Sequence, residues 1–143
     1  MKTLLLSFSL FLLLGLPKFD ARKAYVHIGE SSQIIIAGKS NVNKFYCDYE
    51  SSITDREKAI HFTRVDHTLH LKNAKLRLKS KTFDCGKSGM NNDFEELLEA
   101  EEHPYIYIDF TTIEIHPDHY FVSAIISIAE FSKKKSFIIK KKF

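Results

Sequence analysis

The chain has 143 residues and a formal net charge of +3, with 27% charged and 44% hydrophobic residues. That length holds one domain at most, and so mild a charge gives no footing for nucleic acid as a partner. Two cysteines permit a single intramolecular pairing.

MKTLLLSFSLFLLLGLPKF opens the chain with Lys2 and an apolar run from Leu4 to Leu16. A charged start followed by such a run reads as a secretory signal peptide. It is too short to span a bilayer comfortably, which takes about 20 apolar residues. The signal peptide is assigned to residues 1–21, up to 24 at most, with Ala21 and Ala24 as cleavage candidates and an uncleaved anchor as the alternative. Export to the periplasm or beyond would put Cys47 and Cys85 in an oxidising compartment. A disulfide is expected there, against two buried free thiols, and would stabilise the fold by roughly 3–4 kcal/mol in the chain-entropy model.

From residue 24 to 143 the apolar residues recur with period two, which predicts half-buried strands in one all-β domain. QIIIAG (Gln33 to Gly38) is a short run ending at a glycine. NVNKFYCDY puts Phe45, Cys47 and Tyr49 on one face and Lys44, Tyr46 and Asp48 on the other. AIHFTR repeats the pattern with Ile60 and Phe62. LHLKNAKLRLKS begins with Leu69 and Leu71 inward and resumes on the opposite parity with Ala74, Leu76 and Leu78, the mark of a β-bulge. IYIDFTTIEI slips in the same way at Thr111–Thr112, between Ile106, Ile108 and Phe110 on one side and Ile113 and Ile115 on the other. HPDH is a turn, and Val122, Ala124, Ile126 and Ile128 continue the alternation. Strands joined by short turns and bent by bulges predict an antiparallel meander curling towards a barrel.

One segment reads as a helix, over about 91–102. Asp93 is its expected cap, Glu96 completes a capping box, and Phe94, Leu97 and Leu98 form the apolar stripe. His103–Pro104 ends it. A helix of about ten residues is marginal alone, so the stripe must dock on the sheet. The lysines of SKKKSFIIKKKF read as a solvated strand edge that discourages aggregation, with contact to an anionic membrane surface as the second reading.

Little in the sequence points to chemistry. Of seven histidines, His67 and His70 fall on opposite faces of a strand. His116 and His119 flank a turn and could meet there, without an evident third ligand. Cys85 carries no local mark of a nucleophile, and the acidic run Glu95 to Glu102 reads as the wet face of the helix. The chain is therefore not expected to be an enzyme, and no cofactor, metal or catalytic residue is assigned. A small barrel with an apolar inner face either packs solid or holds an elongated apolar ligand.

Four ordered stretches are more specific: IIIAGKSNVNKFYC (Ile34 to Cys47), FDCGKSGMNNDFEELL (Phe83 to Leu98), HPYIYIDF, and ISIAEFSKK (Ile126 to Lys134). Together they resemble the YceI-like family, over roughly Ala24 to the C-terminus, with Glu130 where that family usually has glycine. The resemblance implies a lipocalin-like antiparallel barrel with a helix near one end and an apolar tunnel for a polyisoprenoid or similar amphiphilic lipid. It implies that Phe45, Phe62, Leu76, Leu78, Met90, Phe94, Leu97, Ile106, Ile108 and Phe110 face inward as ligand-binding residues. Family domains continue past the SFIIKKKF strand, so this chain is expected to supply six or seven of eight strands. The alternative to a lipid carrier is then an interaction protein whose open edge pairs with a partner chain, for instance in a homodimer.

Overall fold

The computed structural model describes residues 21–27, 33–39, 41, 43–50 and 57–141. The assigned signal peptide, but for Ala21, lies outside them. Ten antiparallel strands and one short α-helix make up the domain: β1 (Ala21–His27), β2 (Ile35–Lys39), β3 (Lys44–Tyr49), β4 (Glu57–Val65), β5 (Thr68–Lys72), β6 (Lys75–Lys79), β7 (Phe83–Asp84), α1 (Ser88–Leu97), β8 (Tyr105–Ile115), β9 (His119–Ile128) and β10 (Phe131–Lys140). The fold is all-β. Among the described residues the strands form two open sheets, and no pairing closes either of them into a barrel.

The larger sheet runs β1-β4-β5-β8-β9-β10, with β6 also on β8. Both parity slips are present and lie side by side, the one in β8 as a bulge and the one in LHLKNAKLRLKS as a wider interruption between β5 and β6. Strands β5 and β6 share one edge of β8, the first pairing Thr68 with Glu114 through His70 with Thr112, the second Lys75 with Asp109 through Lys79 with Tyr105. Between them Asn73 takes a left-handed backbone, φ 62°, and the Ala74 carbonyl accepts the Phe110 N–H at 3.0 Å. On the other side of β8 the register with β9 jumps from Phe110 to Thr112. The Thr111 hydroxyl donates to the Ser123 carbonyl at 3.1 Å, which holds the extra residue in place. Two slips at one level bend the sheet there.

The smaller sheet, β2-β3-β7, carries the disulfide. Pairing of Asp48 with Asp84 sets Cys47 opposite Cys85, and the two are joined. Alternation on β3 is as expected: Phe45, Cys47 and Tyr49 turn inward and Lys44, Tyr46 and Asp48 are exposed. Gly38 sits across from Phe45, and a Cβ there would lie 2.0 Å from the Phe45 ring. The ring lies over the glycine, covering the gap that the missing side chain leaves in the strand.

Strand β1 was not foreseen. Its seven residues pair with β4 from Ala21–Thr63 to His27–Glu57, next to the segment read as a leader.

The helix departs from expectation at both ends. It starts at Ser88 behind an N-cap Lys87 that makes no side-chain capping bond, and Asp93 lies in mid-helix. The start is fixed instead by a network before it. Asn91 Oδ1 accepts the Cys85 N–H at 2.7 Å, its Nδ2 donates to Asp84 Oδ1 at 2.9 Å, and the Gly86 N–H reaches the same oxygen at 3.0 Å. Gly86 has φ 84°, a backbone that suits glycine alone. The end comes before His103–Pro104. Glu99 N–H donates to Glu96 O, Ala100 N–H to Glu95 O, and Glu99 stands at φ 50°. That pair of bonds is a Schellman stop, with glutamate in the place usually taken by glycine.

The core forms where the smaller sheet and α1 meet the β6–β8 end of the larger sheet. Cys47, Leu78, Phe83, Phe94, Leu98 and Ile106 are buried together. A line of rings ties the parts to one another: Phe45 to Phe94 at 6.1 Å, Phe94 to Phe83 at 5.8 Å and Phe83 to Tyr49 at 5.1 Å. Such edge-on contacts add to simple area burial.

Candidate functional site

Period-two alternation and the strand registers together define the inward face of the larger sheet. Cross-strand pairing lines up Leu69, Ile113, Val122 and Phe137 in one row, and Leu76, Ile108 and Ile126 in another. Phe62 pairs with Leu71 in a further apolar contact. The face divides into two parts. Near β6 it is covered by α1 and the smaller sheet, with Leu76, Ile108 and Ile128 packed on the buried cluster. Beyond the two slips, Phe62, Leu69, Leu71, Phe110, Ile113 and Phe137 are only half-buried and stand outside that cluster.

The ten residues expected to face a ligand separate along this line. Phe45, Leu76, Leu78, Phe94, Ile106 and Ile108 come together in or against the core. Phe62 and Phe110 lie on the half-buried part, and Met90 is half-buried on the first turn of α1. Leu97 is a correction. It is 69% exposed, whereas Leu98 is 4% exposed and takes the inward place. With the helix begun at Ser88, the residue one turn beyond Phe94 on the docked face is Leu98, at i+4, and Leu97 swings to solvent. Sequence reasoning also passed over Phe83, Val122 and Ala124, all buried. Val122 and Ala124 stood on the expected inward parity, which was the signal for them.

The outward face is partly cross-linked by polar contacts. Ser123 and Ser136 hydroxyls lie 2.9 Å apart across β9 and β10, and those of Ser127 and Ser132 lie 2.7 Å apart. Arg77 sits 4.8 Å over the Tyr105 ring, and Lys75 Nζ lies 3.8 Å from Asp109. At the HPDH turn the two histidines do meet. The His116 and His119 rings stack 4.4 Å apart, with His119 Nδ1 at 2.7 Å from Asp118 Oδ1. That contact holds the Asp118 carboxyl below the usual carboxylate range.

Beside α1 lies an acidic depression of about 530 Å³, lined by Asn92, Glu95, Glu96, Glu99, Ala100, Glu101 and Glu102. Ligand atoms of Glu99, Glu102 and His103 stand within 4.8 Å of one another. Both carboxylates are exposed and His103 is half-buried. Glu101 is paired with Lys81, whose ammonium is held above its usual range by that contact. This is the wet side of the helix and its C-terminal turns.

Taken together, the geometry defines an all-β protein, cross-linked by one disulfide, whose larger sheet presents a bent apolar face that its own core covers only in part. The disulfide fits an oxidising, extracytoplasmic compartment. No described helix is long and apolar enough to cross a membrane. Comparisons with protein-family models, curated proteins and solved structures find no match.

Proposed function

We propose that this is an exported lipid-binding protein of YceI-like type. The half-buried part of the larger sheet's inward face holds an isoprenoid-like or other long apolar ligand, and no bond is made or broken. In this reading the larger sheet is the wall of a lipocalin-like barrel, the signal peptide directs export, and the ligand lies along the row led by Leu69. One observation carries it: apolar side chains from β4, β5, β8 and β10 share a face beyond the slips that the core cluster leaves half-open.

The physical logic suits such a ligand. Burial is worth about 0.8 kcal/mol per CH₂, so a prenyl chain laid along that face binds through area, and no polar signature is required. The core anchors the sheet at one end, and the slips at Asn73 and Thr111 bend the remainder.

A charge placed on the half-open part separates binding from folding. Phe62 lies outside the core cluster, so Phe62→Asp should leave the chain folded. It should lower the affinity for a fluorescent prenyl probe by at least about tenfold, because the new carboxylate must be desolvated against hydrocarbon. Unchanged probe affinity in a folded Phe62→Asp variant would remove this face as the site.

A further inference from the structure

The lipid-carrier reading uses only Phe137 of β10. This ten-residue strand is paired with β9 on one side, and apart from Phe137 every residue in it is exposed. Lys133, Lys134 and Lys135 sit opposite Ile126, Ile125 and Ala124 on β9, so no carboxylate faces them across the strands. No ion pair to these three, or to Lys140, occurs among the described residues. Alternation sends Lys133 and Lys135 to one face and Lys134 and Lys140 to the other, so the edge itself carries positive charge on both flanks. Large apolar groups stand among these cations. Phe131, next to the β9–β10 turn, is 81% exposed, and Ile138 is 62% exposed.

Unpaired lysines flanking bare aromatic and aliphatic side chains complement two layers at once, an anionic one and an apolar one beneath it. A lipid surface offers both. A protein strand added along this edge would lie beside three consecutive cations, an arrangement that opposes strand addition.

We propose that the β10 edge docks on an anionic lipid surface, with Lys133, Lys134, Lys135 and Lys140 at the phosphate level and Phe131 entering the interface. The ammonium groups gain from the negative surface potential, while the ring is amphipathic-interface material. This rests on the surface of β10 and stands whether or not the inward face holds a ligand.

The test is vesicle flotation of the exported, purified chain, after solvent extraction of any bound lipid. Phosphatidylcholine vesicles with and without phosphatidylglycerol are compared, and the quantity read is the ratio of binding to the two. Any contribution from the N-terminus is common to wild type and variants and drops out of the comparison. Each lysine is worth about fivefold in partitioning, so the triple variant Lys133→Gln, Lys134→Gln, Lys135→Gln should lower that ratio by roughly 100-fold. Its circular dichroism should match wild type, since all three side chains are exposed. Phe131→Ser should weaken binding to the anionic vesicles while leaving its salt dependence intact. A ratio near one for wild type, or an equal ratio in wild type and triple variant, would overturn the proposal. So would a salt-insensitive dimer that protects the β10 amides, since the edge would then belong to a second copy. A chain that binds anionic vesicles yet carries no prenyl lipid would contradict the carrier reading and leave the docking surface in place.

Discussion

Ala129 shows how one residue can depart from its local rule. It opens the β9–β10 turn at φ 49°, a left-handed backbone that costs a residue with a Cβ about 1–2 kcal/mol relative to glycine. Ala129→Gly should therefore raise stability by about 1 kcal/mol, read as a shift in the urea midpoint at constant slope. Asp84 gives a pH dependence of known sign. Its carboxylate accepts from Asn91 and from the Gly86 N–H, and these bonds lower its pKa. A depressed folded pKa stabilises the loop above the unfolded value of about 3.9. That contribution is lost as the pH falls below that value and through the folded pKa. The protection of the Gly86 amide, the slowing of its exchange relative to that of an unprotected peptide at the same pH, should therefore fall on acidification through that window and stay constant from mildly acidic to neutral pH. An Asp84→Asn variant should show no such step.

At the scale of elements, the two parity slips and the presence of one short helix were legible, and the bounds of that helix were not. A bulge moves the apolar residues from one parity to the other within a strand, and LHLKNAKLRLKS and IYIDFTTIEI both write that shift into the chain. Helix phase is another matter. Asp93 and Glu96 satisfy the local capping pattern, yet the start is set by Asp84 and Asn91 bonding around a cross-linked cysteine. That arrangement exists only once β7 has paired with β3. The helix then docks by Phe94 and Leu98, and the neighbouring leucine turns outward. Two substitutions test this assignment in opposite directions. Phe94→Ala removes a buried ring from contact with Phe45 and Phe83 and should cost about 3–5 kcal/mol. Leu97→Ala, at an exposed position, should lie within about 0.5 kcal/mol of wild type. Equal losses from the two would place the helix in the wrong phase. Strand β1 escaped notice for a related reason: ARKAYVH has weak alternation, and its pairing with β4 is a long-range contact that no local pattern announces.

For the whole molecule, the apolar positions were readable but their division into covered and half-open parts was not. Period two identifies Phe62 and Leu78 alike as inward residues. Only the placement of α1 and the disulfide-linked sheet over the β6–β8 end buries the second and leaves the first in partial contact with solvent. That remaining area is expected to be occupied by a ligand in the exported protein. Native mass spectrometry of the exported, purified chain, followed by solvent extraction, tests this most directly. The predicted result is one prenyl-type lipid per chain, released on denaturation. A chain recovered empty, whether as a monomer or as a dimer, would contradict it.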